Sequence, residues 1–250
     1  MTFFRSIIFL AFLFGSIVTF TVPIVLIGYV IPYRWLSRIG RIWARLCLLS
    51  LKWICGLGFR VSGMELLPQG PAIVMCKHQS AWETIALRAL LPLEQTWVLK
   101  QELTRVPFFG WALAPFEPIA IDRSQARKAV RQLLQEGRKW LDSGRWVIIF
   151  PEGTRVSPGE RRGYGIGGAL LAEKTGRTIV PIAHNAGVFW SRRSILKYPG
   201  VIELVIGHPV QTLGRSAVDI NREIEDWIET EVSRLPAGHP SKRLSPPVSD

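Results

Sequence analysis

The sequence predicts an α/β domain with a mostly parallel or mixed sheet, preceded by an N-terminal helical membrane anchor. Three observations predict it. From about Phe59 onward, short apolar runs alternate with stretches of helical period. Residues 6–33 carry no charge. No acidic residue precedes Glu65, whereas Arg5, Arg34, Arg38, Arg41, Arg45, Lys52 and Arg60 all do.

The chain has 250 residues, 48% of them hydrophobic. That much apolar side chain offsets the entropy of ordering and excludes disorder for most of the chain. Three cysteines (Cys47, Cys55 and Cys76) are too few, and odd in number, for a disulfide scaffold. Lys and Arg exceed Asp and Glu by 12, which points to nucleic acid or an anionic membrane as partner. The seven basic residues before Glu65 place most of that excess beside the uncharged stretch, so the membrane is favoured.

As a helix, residues 6–33 would run about 42 Å, more than the ~30 Å hydrocarbon core. The stretch is too long for the apolar region of a signal peptide, and no small-x-small cleavage site follows it. A retained membrane helix is expected, with a kink or break at Pro23; whether it spans the bilayer or re-enters one leaflet is open. Next, Arg34, Arg38, Arg41, Arg45 and Lys52 project onto a stripe about 60° wide on a second helix that is otherwise apolar and rich in tryptophan. Such a helix suits the headgroup region; a core helix with one solvated face is the alternative. Positive charge after the first helix puts the main domain on the cytoplasmic side. The expected division is residues 1–58 as anchor and interfacial helix, 59–235 as the catalytic domain, and a disordered tail rich in Pro and Ser at 236–250.

Within the domain, strands are expected at 72–76, 96–99, 119–121, 146–150, 178–183 and 201–206, and helices at 124–142, 168–175 and 217–235. In 124–142, Ala126, Val130, Leu133, Leu134, Trp140 and Leu141 form one apolar face opposite Arg and Lys.

Four segments carry the chemistry. The first is Lys77-His78-Gln79-Ser80-Ala81-Trp82-Glu83-Thr84, after the strand ending at Cys76. On one continuous helix His78 and Glu83 would be about 140° apart. Ser80 and Glu83 form a capping box, which starts the helix at Ser80 and leaves His78 on the preceding turn. Glu83 can then swing back to the imidazole, or simply cap its helix, or do both. A histidine held by a carboxylate is a general base. Ser80 is a poor nucleophile because its hydroxyl serves as cap, so the base is expected to activate a substrate hydroxyl. The second segment, Phe150-Pro151-Glu152-Gly153-Thr154-Arg155, ends a strand where α/β sheets place ligand loops. Backbone N–H groups near Gly153, together with Arg155, suit a phosphate; an ordinary turn with a surface ion pair is the alternative. The third, 110–123, ends in Asp122-Arg123 just before a helix N-terminus, where Arg123 again suits an anion. In the fourth, 180–187, His184 is a second candidate base or, after a buried-looking strand, a structural residue. No zinc spacing such as H-E-x-x-H is present, and no metal is expected.

Taken together and in this order, these segments resemble the glycerophospholipid acyltransferase family, and within it the bacterial 1-acyl-glycerol-3-phosphate acyltransferases, over roughly residues 64–210. The family's first motif is matched by His78 and Glu83, with glutamate where aspartate is commoner. Its second is matched by 110–123, with Arg123 in the substrate-phosphate position. Its third is matched in full by 150–155, making Glu152, Gly153 and Arg155 glycerol-phosphate contacts. Its fourth is matched around Pro181. Lys100, in Lys100-Gln101-Glu102-Leu103, resembles a family lysine near the reacting thioester. Tyr164-Gly165-Ile166-Gly167 stands where many relatives carry a basic residue.

The resemblance implies transfer of an acyl group from acyl-CoA or acyl-carrier protein, as co-substrate and without a cofactor, to the sn-2 hydroxyl of lysophosphatidic acid, giving phosphatidic acid. Expected partners are membrane lipids and these two substrates, with no nucleic acid, at the bacterial cytoplasmic membrane. Rival readings are an acyltransferase for a lyso-ornithine lipid or lysophosphatidylcholine, and a membrane-tethered protein that binds anionic lipid or nucleic acid.

Overall fold

Helix α1 (Thr2–Ile27) opens the computed structural model, which describes residues 1–122 and 124–237. Arg123 and most of the expected 236–250 tail lie outside the described residues. The α1 sequence holds its own polar groups: the Ser6, Ser16, Thr19 and Thr21 hydroxyls each donate to a carbonyl three or four residues back. That suits an apolar surrounding, where no water completes them. The helix is long and apolar enough to cross a membrane. It continues through Pro23 for another turn, so the expected break comes later, at residues 28–32.

Helix α2 (Tyr33–Cys55) stops at Gly56, whose φ of +67° gives a left-handed cap that glycine adopts without strain. It has three faces. Leu36, Gly40, Ala44, Cys47, Leu51 and Cys55 are buried against α1 and the domain. Arg34, Arg38, Arg45 and Lys52 are exposed. Between these faces lies an exposed apolar strip of Trp35, Ile42, Leu46, Leu49 and Trp53. Arg41 departs from the expected basic stripe: its guanidinium turns inward and donates to the Leu91 carbonyl.

The remaining elements follow in order: β1 (Leu57–Ser62), β2 (Ile73–Cys76), α3 (Trp82–Leu90), β3 (Gln95–Lys100), α4 (Phe109–Leu113), β4 (Ile119–Ile121), α5 (Ala126–Asp142), β5 (Trp146–Ile149), α6 (Gly167–Thr175), β6 (Ile179–His184), α7 (Ala186–Phe189), β7 (Gly200–Ile206) and α8 (Ala217–Arg234). The six expected strands are all present, with ends within one residue of expectation. Strand β1 was not expected. Its apolar Leu57, Phe59 and Val61 alternate with Gly58, Arg60 and Ser62, and it pairs with β7 at the sheet edge. It begins at Leu57, so it straddles the expected division at 58.

The seven strands lie in the order β1-β7-β6-β2-β5-β3-β4. All pairs are parallel except β6 with β7. Alternation along the strands divides the core in two. Val74, Cys76, Ile148 and Ile182 face Leu51, Trp82 and Leu87 on the side of α1, α2 and α3. Ile73, Met75, Val147 and Ile149 face Leu133, Leu171 and Ile224 on the side of α5, α6 and α8. The N-terminal helices therefore form part of one helical layer. α1 touches the domain near both its ends. Phe9 packs edge-on to Trp190 with centroids 5.6 Å apart, the Lys197 N–H donates to Ser6 Oγ at 2.9 Å, and Thr21 Oγ1 donates to the Phe108 carbonyl at 3.2 Å. A helix of about 39 Å held at both ends lies along the domain.

Register aligns Met75 of β2 with Ile149 of β5 and Pro181 of β6. The carboxyl ends of these three central strands therefore open at one edge, where His78, the 150–155 turn and His184 gather. Pro181 sits inside β6, one residue before the β7 ladder begins at Ile182, so its missing N–H lies outside that ladder.

Candidate active site

Helix α3 starts at Trp82, later than the expected Ser80, and this places Glu83 in its first turn. Glu83 Oε1 accepts the N–H groups of Gln79 at 2.9 Å and Ser80 at 2.7 Å. The same oxygen lies 2.8 Å from His78 Nδ1. Capping and holding the imidazole are thus one arrangement. Glu83 is fully buried. Burial pushes its carboxyl upward, but His184, His78 and the Ser80 N–H outweigh that and hold it below the usual range. An ionised Glu83 requires the proton on Nδ1, leaving Nε2 with its lone pair. The His78 ring stacks on Phe150, centroids 4.0 Å apart and planes 14° apart, and its side chain is 14% exposed.

The 150–155 turn is closed by a Gly153 N–H donated to the Phe150 carbonyl at 3.0 Å, with Gly153 at φ +70°. That N–H is spent in the turn and is not free for a phosphate. Glu152 likewise differs from expectation. It is buried, with Oε1 2.8 Å from Lys77 Nζ and Oε2 accepting the His78 N–H at 2.6 Å, so its carboxylate braces the histidine turn from within. Lys77 Nζ also lies 2.7 Å from Glu229 Oε1 of α8, which accepts the Tyr164 hydroxyl at 2.9 Å. Burial raises Glu152 to about 7 against the pull of Lys77 and the His78 N–H.

His184 has both ring nitrogens occupied. Nε2 donates to the Lys77 carbonyl at 2.8 Å, and Nδ1 accepts the Ala186 N–H at 3.2 Å. Burial keeps it below its usual pKa against the pull of Glu83 and the Lys77 carbonyl bond. It is a neutral support for the turn, not a second base.

A cavity of about 480 Å³ opens at His78. Its apolar wall includes Trp43, Ile85, Leu99, Phe109 and Leu113; Gly153, Thr154 and Arg155 border it, and so do Arg88, Lys100, Arg192 and Arg193. No acidic side chain lines it among the described residues. A second cavity of about 100 Å³ shares Trp43, Arg88, Phe109 and Leu113 with the first and reaches Ile17, Phe20 and Ile24 of α1. The two cavities therefore adjoin, the second on the side of α1.

Residues 58–185 match the Acyltransferase family. A 1-acyl-sn-glycerol-3-phosphate acyltransferase of Pseudomonas aeruginosa is 40% identical over 230 residues, covering 90% of this chain and 86% of that protein. The chain belongs to the Acyltransferase family. Another relative of this acyltransferase is a 1-acyl-sn-glycerol-3-phosphate acyltransferase of Cocos nucifera, 27% identical over 91% of this chain and 73% of that one. The crystal structure of the 1-acyl-sn-glycerophosphate (LPA) acyltransferase from Thermotoga maritima superposes with a TM-score of 0.78, covering 93% of this chain and 95% of that one at 19% identity. That likeness concerns the fold.

Of the expected site residues of this acyltransferase, His78, Lys100, Gly153 and Arg155 line the cavity and Glu83 holds His78 from behind. Glu152 and Pro181 are buried beneath it, and Arg123 lies outside the described residues. Lys100 reaches the cavity while paired with Glu102 at 2.7 Å. Sequence reading missed Lys77, Arg88, Arg192, Arg193 and Glu229. Lys77 precedes the histidine and was legible as a charge on a buried strand end. Glu229 comes from a helix 152 residues away, and no local signal marks it.

Proposed function

We propose that this acyltransferase moves an acyl chain from a thioester donor to the sn-2 hydroxyl of 1-acyl-glycerol 3-phosphate, giving phosphatidic acid. The reading is carried by one observation. His78 is held through Nδ1 by a buried Glu83, while its Nε2 has no partner among the described residues and borders a cavity without acids.

In this mechanism His78 Nε2 takes the proton of the acceptor hydroxyl as its oxygen attacks the thioester carbonyl. The imidazolium so formed is stabilised by Glu83 and then gives its proton to the departing thiolate. Charge developing on the carbonyl oxygen needs a donor, and Lys100 at the cavity rim is the candidate. Arg155 holds the acceptor phosphate, so attack has the geometry of an intramolecular step. Gly153 contributes the sharp turn that presents Arg155, and Glu152 and Pro181 support the site from beneath. Arg123 remains a phosphate contact by its place in the chain alone. The apolar cavities take the aliphatic chains.

Residues 1–58 supply the membrane contact and residues 59–235 the chemistry. The exposed apolar face of α1 and the exposed strip of α2 lodge in the inner leaflet of the bacterial cytoplasmic membrane, with the sheet on the cytoplasmic side. Because α1 lies along the domain from Ser6 to Thr21, one leaflet accommodates it more readily than a full crossing.

The test is turnover of lysophosphatidic acid by the purified protein, with acyl-CoA and acyl-carrier protein as separate donors and products read by mass. Phosphatidic acid from either donor is expected. Acylation only of a lyso-ornithine lipid or lysophosphatidylcholine would overturn the reading.

A further inference from the structure

We propose that Arg192 and Arg193 complete, with Arg155, a three-guanidinium clamp that reads the double negative charge of a phosphate monoester. This inference rests on the acceptor named above and concerns how it is told apart from lysolipids whose phosphate is a diester.

All three arginines border the cavity that His78 opens into. They come from two separate segments, the turn after β5 and the loop after α7. Arg192 Nη1 donates to the Arg155 carbonyl at 3.0 Å, which ties the loop to the turn. The Arg155 and Arg193 guanidinium groups hold no hydrogen bond or ion pair among the described residues, as is also true of other arginines such as Arg34 and Arg162; what sets them apart is that both border the cavity of His78, Arg155 half-buried and Arg193 exposed. Arg193 also sits at φ +61°, a backbone region that non-glycine residues rarely occupy and that clusters at functional sites. Like charges gathered without an acid repel one another, and an anion between them relieves that.

The charge to be met fits a monoester. At neutral pH it carries about −1.5 to −2 and offers three strong acceptor oxygens, each able to meet a planar guanidinium fork. A diester carries only about −1 and has two such oxygens free. Any cation prefers the dianion, and each further arginine added to Arg155 widens that preference over a monoanionic diester. The stretch Tyr164-Gly165-Ile166 that leads into α6 adds no cation to the cavity: Tyr164 is turned to Glu229, and Arg161 just upstream meets Glu225 and Asp226. The phosphate of the acceptor is only a few bonds from the hydroxyl that His78 deprotonates, so an anion site on the same cavity is correctly placed.

The experiment compares lysophosphatidic acid with lysophosphatidylglycerol of the same chain, using one donor, in the full chain and in Arg193→Gln and Arg192→Gln/Arg193→Gln. Where the diester is not turned over, its Ki against the monoester replaces its KM. Expected in the double variant is a rise of roughly 10- to 100-fold in KM for the monoester, a change of less than about threefold for the diester, and an unchanged donor KM. Arg193→Gln, whose native side chain holds no partner to lose, gives a smaller rise, and Arg193→Lys recovers part of it. An unchanged preference with an active parent overturns the clamp and leaves the proposed reaction standing. A rise in donor KM instead assigns these arginines to the thioester carrier and equally overturns it. A parent that forms no phosphatidic acid overturns the proposed reaction and the clamp with it.

Discussion

The Nζ of Lys77 and the Oε1 of Glu229 lie 2.7 Å apart across 152 residues of sequence. Lys77 also meets Glu152, whose second oxygen holds the His78 N–H, so the last described helix is linked through one buried ammonium to the backbone of the proposed base. Removing one member of such a set leaves charge buried without its partner. Lys77→Met is expected to cost about 3–5 kcal/mol in unfolding experiments. The milder Glu229→Gln should lower kcat several-fold with both KM values unchanged, because it loosens the turn without touching substrate. Steady-state kinetics on the folded variant decides this, and an unchanged kcat would sever α8 from the chemistry.

Glu83→Gln keeps the size of the side chain but loses the charge that fixes the imidazole tautomer. We expect kcat to fall by about 10²-fold or more, with His78→Ala reducing it further. Circular dichroism on both variants should be native-like. Near-parental turnover in Glu83→Gln would reduce the residue to a helix cap.

The raised Glu152 carboxyl makes stability depend on pH in a defined direction. The folded protein keeps this proton up to about 7, whereas the unfolded chain loses it near 4.5. The stability it contributes is fully present below about 4.5 and is lost as pH rises through about 7, at roughly 1.4 kcal/mol per pH unit between the two. Glu152→Gln should therefore flatten the fall in Tm across this window in thermal unfolding at several pH values. A variant whose slope matches the parent would place the proton elsewhere.

The faces of α2 predict separable effects on lipid binding. Replacing Trp35, Leu46 and Trp53 together by Gln should weaken binding to neutral and anionic vesicles alike, with α1 still holding part of the protein on the lipid. Neutralising Arg34, Arg38 and Arg45 should weaken binding to anionic vesicles only, by on the order of 1 kcal/mol each. Arg41→Gln is expected to lower stability while leaving vesicle affinity unchanged, because its guanidinium serves the Leu91 carbonyl. Co-sedimentation with the two vesicle types distinguishes these outcomes.

Much of the fold was legible because apolar runs and helical period are local signals. The strands and α5, α6 and α8 came out close to place for that reason. Strand β1 was overlooked although Leu57, Phe59 and Val61 alternate with Gly58, Arg60 and Ser62: only Gly56 separates it from α2, so its first residues read as a continuation of that helix's apolar run. The site was legible where chemistry is local, as in the spacing of His78 and Glu83. It misled at Glu152, whose motif suggests a ligand contact but whose oxygens are occupied by Lys77 and the His78 N–H. It was silent at Arg192, Arg193 and Glu229, which reach the site only through tertiary folding. The α2 stripe was read by geometry alone, which could not reveal that Arg41 has a carbonyl to meet.

The position of α8 also sets a timetable for the growing chain. Helix α1 leaves the ribosome before every other described element, and Glu229 follows every other described member of the His78 support. A nascent chain can therefore reach the membrane surface well before its base is braced, and acquires that brace only once it is already beside the lipids among which the proposed reaction takes place.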